Sequence, residues 1–191
     1  MQKISKGFYM GSVYGGYFGA VVLMIIYMIS IFSFIGIMSY SYSYGYNSPF
    51  VGAPIGVLLL AGFSVFAGAW LFLFSFVTEN ILIYRLWDTI RGKTARITPG
   101  RAVTYIYIPF FGFYWIYQAY WGCAVDYNRY IVEKKVDCQP VSEGVPLALC
   151  ILSTLSLIPY VIIITGIPIL ILRIIWYNQM IDAGNQILVK D

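Results

Sequence analysis

The sequence predicts an all-α protein, a polytopic transmembrane helical bundle of four spans, or five if the last apolar run is broken. Three observations carry that prediction. Hydrophobic residues make up 60% of the 191-residue chain and charged residues 10%, against roughly 25% charged residues in an average soluble domain. A water-facing surface needs more charge than that; lipid removes the need. Residues 16–38 and 54–77 carry no charge at all, and each reaches the roughly 20 residues that cross a bilayer core as a helix. The charges that do occur, net +4, cluster in short connections between apolar runs, where they suit anionic lipid headgroups. The length suits one compact unit, so residues 1–191 are expected to form a single integral membrane domain.

The chain opens on a short basic segment with Lys3 and Lys6. This resembles the n-region of a signal peptide. The apolar run behind it is too long for an h-region and lacks a small-x-small cleavage site, so a retained helix is expected. Gly11, Gly15 and Gly19 recur every four residues, with Gly16 and Ala20 beside them. Glycine is common in membrane helices for several reasons, but a repeating spacing places small residues on one stripe, where another helix backbone can approach closely. The first span, 16–38, gives way to the uncharged loop SYSYSYGYNSPFVGAP, read as an aromatic rim at the membrane boundary.

The second span covers 54–77. The connection after it, 78–101, holds Arg85, Arg91, Lys93, Arg96 and Arg101 against Glu79 and Asp88. Its basic bias places it in the cytoplasm, and Lys3 and Lys6 place the N-terminus on the same side, as two crossings require. Within it Ile83, Leu86, Trp87 and Ile90 recur at helical spacing. Thr98 and Pro99 form a helix start, cap and first turn. The third span is expected over 102–122, interrupted by Pro109 and Gly112. A proline removes an internal hydrogen bond and kinks a helix; a re-entrant hairpin is the alternative at the same place. A kink makes the segment a packing element, whereas a re-entrant turn reverses the topology of everything after it.

Residues 132–144 are the most polar stretch and lack basic bias, which allows an external position. The last apolar run, 145–177, has 33 residues and would make a helix of about 50 Å, longer than the roughly 30 Å of a bilayer core. It forms one kinked span, or two short helices broken near 159–168, where Pro159, Gly166 and Pro168 stand. With four spans both termini are cytoplasmic, a placement Arg173 and Lys190 favour.

Ten aromatic residues crowd 105–121, among them Phe111 and Trp115. They would cover nearly the whole circumference of a helix. A cofactor pocket needs convergent polar groups, and few are present, so the block reads as a packing surface. Two polar ends follow apolar runs: Asp126, Asn128 and Arg129 in one, Asp182 and Asn185 in the other. Asp126 can pair with Arg129 on its own helical face or with an arginine of the 78–101 connection. Similar acid-to-asparagine intervals hint at a degenerate repeat, though Asn128 is one residue short of the register.

The chain has no histidine and three cysteines, Cys123, Cys138 and Cys150, at spacings that match no zinc or thioredoxin-like motif. Histidine-ligated haem, histidine-containing metal sites and histidine-based triads are therefore excluded. No catalytic residue, cofactor or metal is expected. Cys123 and Cys138 flank one polar connection and are either free or paired. No nucleic-acid-binding motif occurs.

The residues YRLWDTIRGKTARITPGRAVTYIYIPFFGFYWIYQAYWGCAVDYNRYI resemble the core of a family of uncharacterised bacterial multi-pass membrane proteins. The resemblance is carried by Pro99 to Val103, Ile108 to Phe111, Tyr114–Trp115, and Asp126 to Asn128, about a quarter of the chain. That family often has asparagine where this chain has Gly112, so a polar side chain is missing at the break. The resemblance implies a membrane protein and supplies no catalytic assignment; the expected location is a plasma membrane, a bacterial inner membrane. The functional expectation is a non-enzymatic accessory or interaction subunit. It would pack against other membrane subunits, or against itself, within the lipid. The alternative is a small transporter or oligomeric channel with its broken helix near Pro109–Gly112.

Overall fold

The computed structural model describes residues 3–44, 53–92, 94–158 and 160–190. All regular structure among them is helical: α1 (Lys6–Tyr44), α2 (Ala53–Thr89), α3 (Pro99–Thr104) with a 3₁₀ turn (Tyr105–Tyr107), α4 (Phe111–Ile116), a π-helical turn (Tyr117–Trp121), α5 (Gly122–Lys134), α6 (Gly144–Leu155) and α7 (Val161–Lys190). Most of the tyrosine-rich loop after Tyr44, and Lys93 and Pro159, lie outside the described residues. The chain divides into two compact units, Gly11–Thr78 and Met1–Met10 with Glu79–Asp191.

The Gly11–Thr78 unit is made from α1 and α2. Both are helices because an apolar, charge-free run in lipid must satisfy its backbone internally. The serines comply by donating back one turn: Ser30 to the Ile26 carbonyl at 2.8 Å, and Ser64 to that of Leu60 at 2.8 Å. Serine and tyrosine alternate from Ser39 to Tyr44 without making a strand; they extend α1. Ser75 bonds both the Leu71 and Ser12 carbonyls, at 3.0 and 3.2 Å, and so ties the two helices. Large side chains such as Phe18, Phe32, Leu59 and Phe63 are exposed, as expected of helices whose solvent is lipid.

Among the described residues three helices are long and apolar enough to cross a membrane, over Lys6–Tyr40, Ile55–Thr89 and Ile164–Val189, and Gly144–Leu155 is a shorter apolar helix. This corrects the expected four or five spans, chiefly because 102–122 is not one helix. At Pro109 the chain reverses. Phe110 adopts φ 61° and ψ −45°, and the Phe111 amide donates to the Pro109 carbonyl at 2.7 Å. That is a γ-turn of the strained, left-handed kind. On either side the chain runs antiparallel to itself: the Trp115 indole donates to the Arg101 carbonyl at 2.9 Å, and the Tyr105 and Trp115 rings lie 4.9 Å apart. The expected kink is a hairpin. Gly112 makes it possible, because a Cβ there would overlap the Ile106 carbonyl.

The last apolar run is also two helices. α6 ends at Leu155 and α7 begins at Val161, with Tyr160 at φ 68°; the expected break lay near 159–168. Pro168 sits inside α7, which continues through it. Between the two hairpins, α5 ends in a left-handed residue, Lys135 (φ 48°). The Val136 amide reaches back to the Ile131 carbonyl at 3.0 Å, closing the helix as a Schellman motif.

Candidate functional site

The polar residues of the unit formed by Met1–Met10 and Glu79–Asp191 fall into two clusters. The first centres on Asp126, whose side chain is completely buried. Arg96 holds it from two directions: the backbone amide donates to Oδ2 at 2.9 Å and the guanidinium Nε to Oδ1 at 2.6 Å. The same guanidinium reaches the Gly122 carbonyl at 3.2 Å, and Thr94 donates to the Asp126 carbonyl at 3.0 Å. Residues 94–96 are thus clamped onto the first two turns of α5. Of the two pairings the sequence allows, the arginine of the 78–101 connection is the one formed. Arg129 is exposed.

Asn128 and Asn185 perform the same task at two places. The Asn128 side chain donates to the Val141 carbonyl at 2.9 Å and accepts from the Val141 amide at 2.8 Å. Asn185 donates to the Ile4 carbonyl at 3.0 Å and accepts from the Ile4 amide at 2.7 Å. A carboxamide carries one donor face and one acceptor face, so it completes both backbone groups of an otherwise unpaired residue. Each has an acid nearby in its helix that holds a cation brought from elsewhere: Asp126 holds Arg96, and Asp182 holds Lys6 at 2.7 Å. The likeness between the two polar ends is therefore one of use.

The second cluster is not apparent as such in the sequence. Glu79, near the start of this unit's part of α2, is buried and lies 3.2 Å from Arg173 of α7. It also accepts from the Tyr177 hydroxyl at 2.6 Å. Trp176, fully buried, packs between Tyr120 and Tyr177 with ring centroids 4.7 and 4.8 Å away. Next to Glu79, Asn80 accepts from the Tyr107 hydroxyl at 2.5 Å. One signal could have found this pair. Glu79 and Arg173 are each a lone charge in apolar surroundings, SFVTENIL on one side and ILILRIIW on the other, and a charge in such a place must find a partner.

The remaining expected packing residues are placed as follows. Trp115 is nearly buried, and Phe111 stacks on it at 5.4 Å while staying partly exposed. At Gly19 a Cβ would come within 2.9 Å of Leu71 Cδ1, and at Gly16 it would overlap the Ser75 hydroxyl. At Gly11 and Gly15 it would meet nothing within 4 Å. Close approach within the Gly11–Thr78 unit thus uses Gly16 and Gly19.

Chemically, the two clusters tie carboxylates to guanidinium groups, to backbone and, at Glu79, to the Tyr177 hydroxyl. No group of three or more potential metal ligands occurs among the described residues. All three cysteines are free, Cys123 and Cys150 buried and Cys138 partly accessible. Burial, and then the neighbouring Asp126, pushes the Cys123 thiol well above its ordinary value. Cys138 is raised too, by partial burial and by Asp137 and Asp182. The thiolate is the reactive form. Maleimide at neutral pH is therefore expected to label Cys138 alone, more slowly than a free peptide thiol, with the rate still climbing as the pH is raised past the ordinary thiol range. Cys123 and Cys150 should react only after denaturation. Equal labelling of all three in the folded protein would contradict the burial described.

Comparison with family models, with curated proteins and with solved structures finds no match for the chain.

Proposed function

We propose that the protein is a non-enzymatic integral membrane protein of a bacterial inner membrane, with a cytoplasmic N-terminus, acting as an accessory or interaction subunit. The observation that supports this most is the open glycine face of α1. Gly7, Gly11 and Gly15 follow at four-residue intervals, all exposed, and a side-chain carbon built at any of them meets nothing within 4 Å. Gly16 and Gly19 are used in packing against α2; these three are not. A second transmembrane helix, from another subunit or another copy, can approach such a face to backbone contact. The two ion pairs with buried carboxylates support the same reading, since one ties α2 to α7 and the other ties the 94–96 connection to α5. The resemblance of residues 84–131 to uncharacterised multi-pass proteins is part of this proposal.

A transporter or channel needs a polar path. The break that suggested one presents Phe110 and Phe111 at its turn, which argues against that use. The expected result is an oligomer or complex in mild detergent, stable to gel filtration. Gly11→Leu with Gly15→Leu should abolish it while leaving the monomer folded by circular dichroism. A wild-type protein that is strictly monomeric in both detergent and lipid nanodiscs would sink the proposal.

A further inference from the structure

Two stretches that look like spans in the sequence begin and end at the same polar face of their unit. We propose that both are re-entrant. In this reading neither 98–126 nor 142–179 crosses the bilayer. The hairpins 98–126 and 142–179 enter one leaflet, bury their turns among its acyl chains, and return to the side they came from. The inference rests on the integral-membrane reading of the protein.

The ends of each excursion are stitched together. Arg96 and Asp126 close the first at 2.6 Å. The Ser142 amide donates to Gln179 Oε1 at 3.3 Å and closes the second. Asn128 joins the two through Val141. Asp182 and Asn185, about one and two turns beyond Gln179, hold Lys6 and Ile4. The connection 136–142, which the sequence allowed on the outside, therefore lies beside the N-terminal segment. Lys3, Asp137, Asp182, Asn185 and Gln186 line one cleft.

The depth follows from the second cluster. Glu79 is the first charge after the 54–77 run, and Arg173 is the first charge after Glu143; the two pair at 3.2 Å and so mark one level. From Arg173 back to Val161, the first residue of α7, the helix rises about 18 Å at 1.5 Å per residue. That is little more than half of the roughly 30 Å core. α6, with 12 residues, spans about as much. The aromatic hairpin is shallower, because Tyr107 sits beside Asn80, at the depth where tyrosine and tryptophan gather.

The turns are built for hydrocarbon. Phe110 is 87% exposed and Tyr160 82%, with Ile108, Leu157 and Ile158 also open. Six amides pair within the turns: those of Phe111, Gly112 and Phe113 donate to the Pro109, Ile108 and Phe110 carbonyls, and those of Leu157, Ile158 and Val161 to the Thr154, Leu155 and Ile158 carbonyls. Each such bond covers a polar group that hydrocarbon could not satisfy.

The test is cysteine topology in vesicles, on a Cys138→Ser background that keeps the buried thiols. Lys3→Cys, Gln139→Cys and Gln186→Cys should all react with a membrane-impermeant maleimide added to the same side. Leu157→Cys should react at least tenfold more slowly than Gln139→Cys from either side. Labelling of Gln139→Cys from the side opposite Lys3→Cys would overturn the proposal, as would ready labelling of Leu157→Cys from that opposite side. Either result leaves the integral-membrane reading standing. Release of the chain by alkaline carbonate would remove that reading, and this one with it.

Discussion

Arg173→Ala is expected to lower the stability of the protein by about 3 kcal/mol, the lower end of what breaking a buried ion pair costs. The lower end applies because the Arg173 side chain is 28% exposed, so water already shares part of its charge; Glu79 is only 8% exposed. The loss comes mainly from the carboxylate left in an apolar setting, since its attraction to the guanidinium offset the cost of removing it from water. Unfolding by SDS titration in micelles gives the measurement. The companion experiment is Glu79→Gln with Arg173→Met, which removes both charges. That double variant should recover most of the loss, and the double-mutant cycle should show clear coupling. Additive losses would mean that the two side chains do not act on each other, and the pairing of α2 with α7 would need another explanation.

Gly112→Ala is expected to destabilise the aromatic hairpin by about 1–3 kcal/mol, the range for forcing atoms into a filled space. Here the obstacle is the backbone carbonyl of Ile106, which cannot rotate away as a flexible side chain can. Gly112→Asn should cost more, since it adds a polar group at an apolar turn. Loss of the Tyr105–Trp115 contact should appear as a red shift and quenching change in tryptophan fluorescence, together with a lower Tm. The neighbouring substitution Phe110→Gly should act in the opposite sense on the backbone, because glycine takes φ 61° without strain. A Gly112→Asn variant as stable as the parent would show that the chain does not turn back tightly at this point.

Much of the helix content is legible in the amino-acid sequence. A run without charge, of bilayer length, leaves the backbone no partner but itself, and α1 and α2 follow from that alone. The helix start at Thr98–Pro99 is equally plain, and the Arg101 amide does donate to the Thr98 hydroxyl at 3.4 Å. The hairpin at Pro109 is visible only as an alternative. Proline marks a break without stating its angle, and the angle here depends on Phe110 accepting a left-handed conformation and on the room left at Gly112. The polar residues Asp126, Asn128, Asp182 and Asn185 stand out by their position after apolar runs. Their partners do not, because Arg96, Val141, Lys6 and Ile4 lie between 13 and 181 residues away in sequence. Glu79 and Arg173 escape notice for a similar reason: each looks like an end-of-span charge reaching for water.

By itself, then, the sequence determined the solvent of this protein, its helical character and the absence of histidine chemistry. Those are properties of composition and of short periodic patterns, and they act locally. The tertiary structure alone decided which charges neutralise each other, that two apparent spans are hairpins, and which glycines are filled and which stay open. Each of these depends on where a distant segment comes to rest, and a charge or a small residue specifies a need for a partner without specifying the partner.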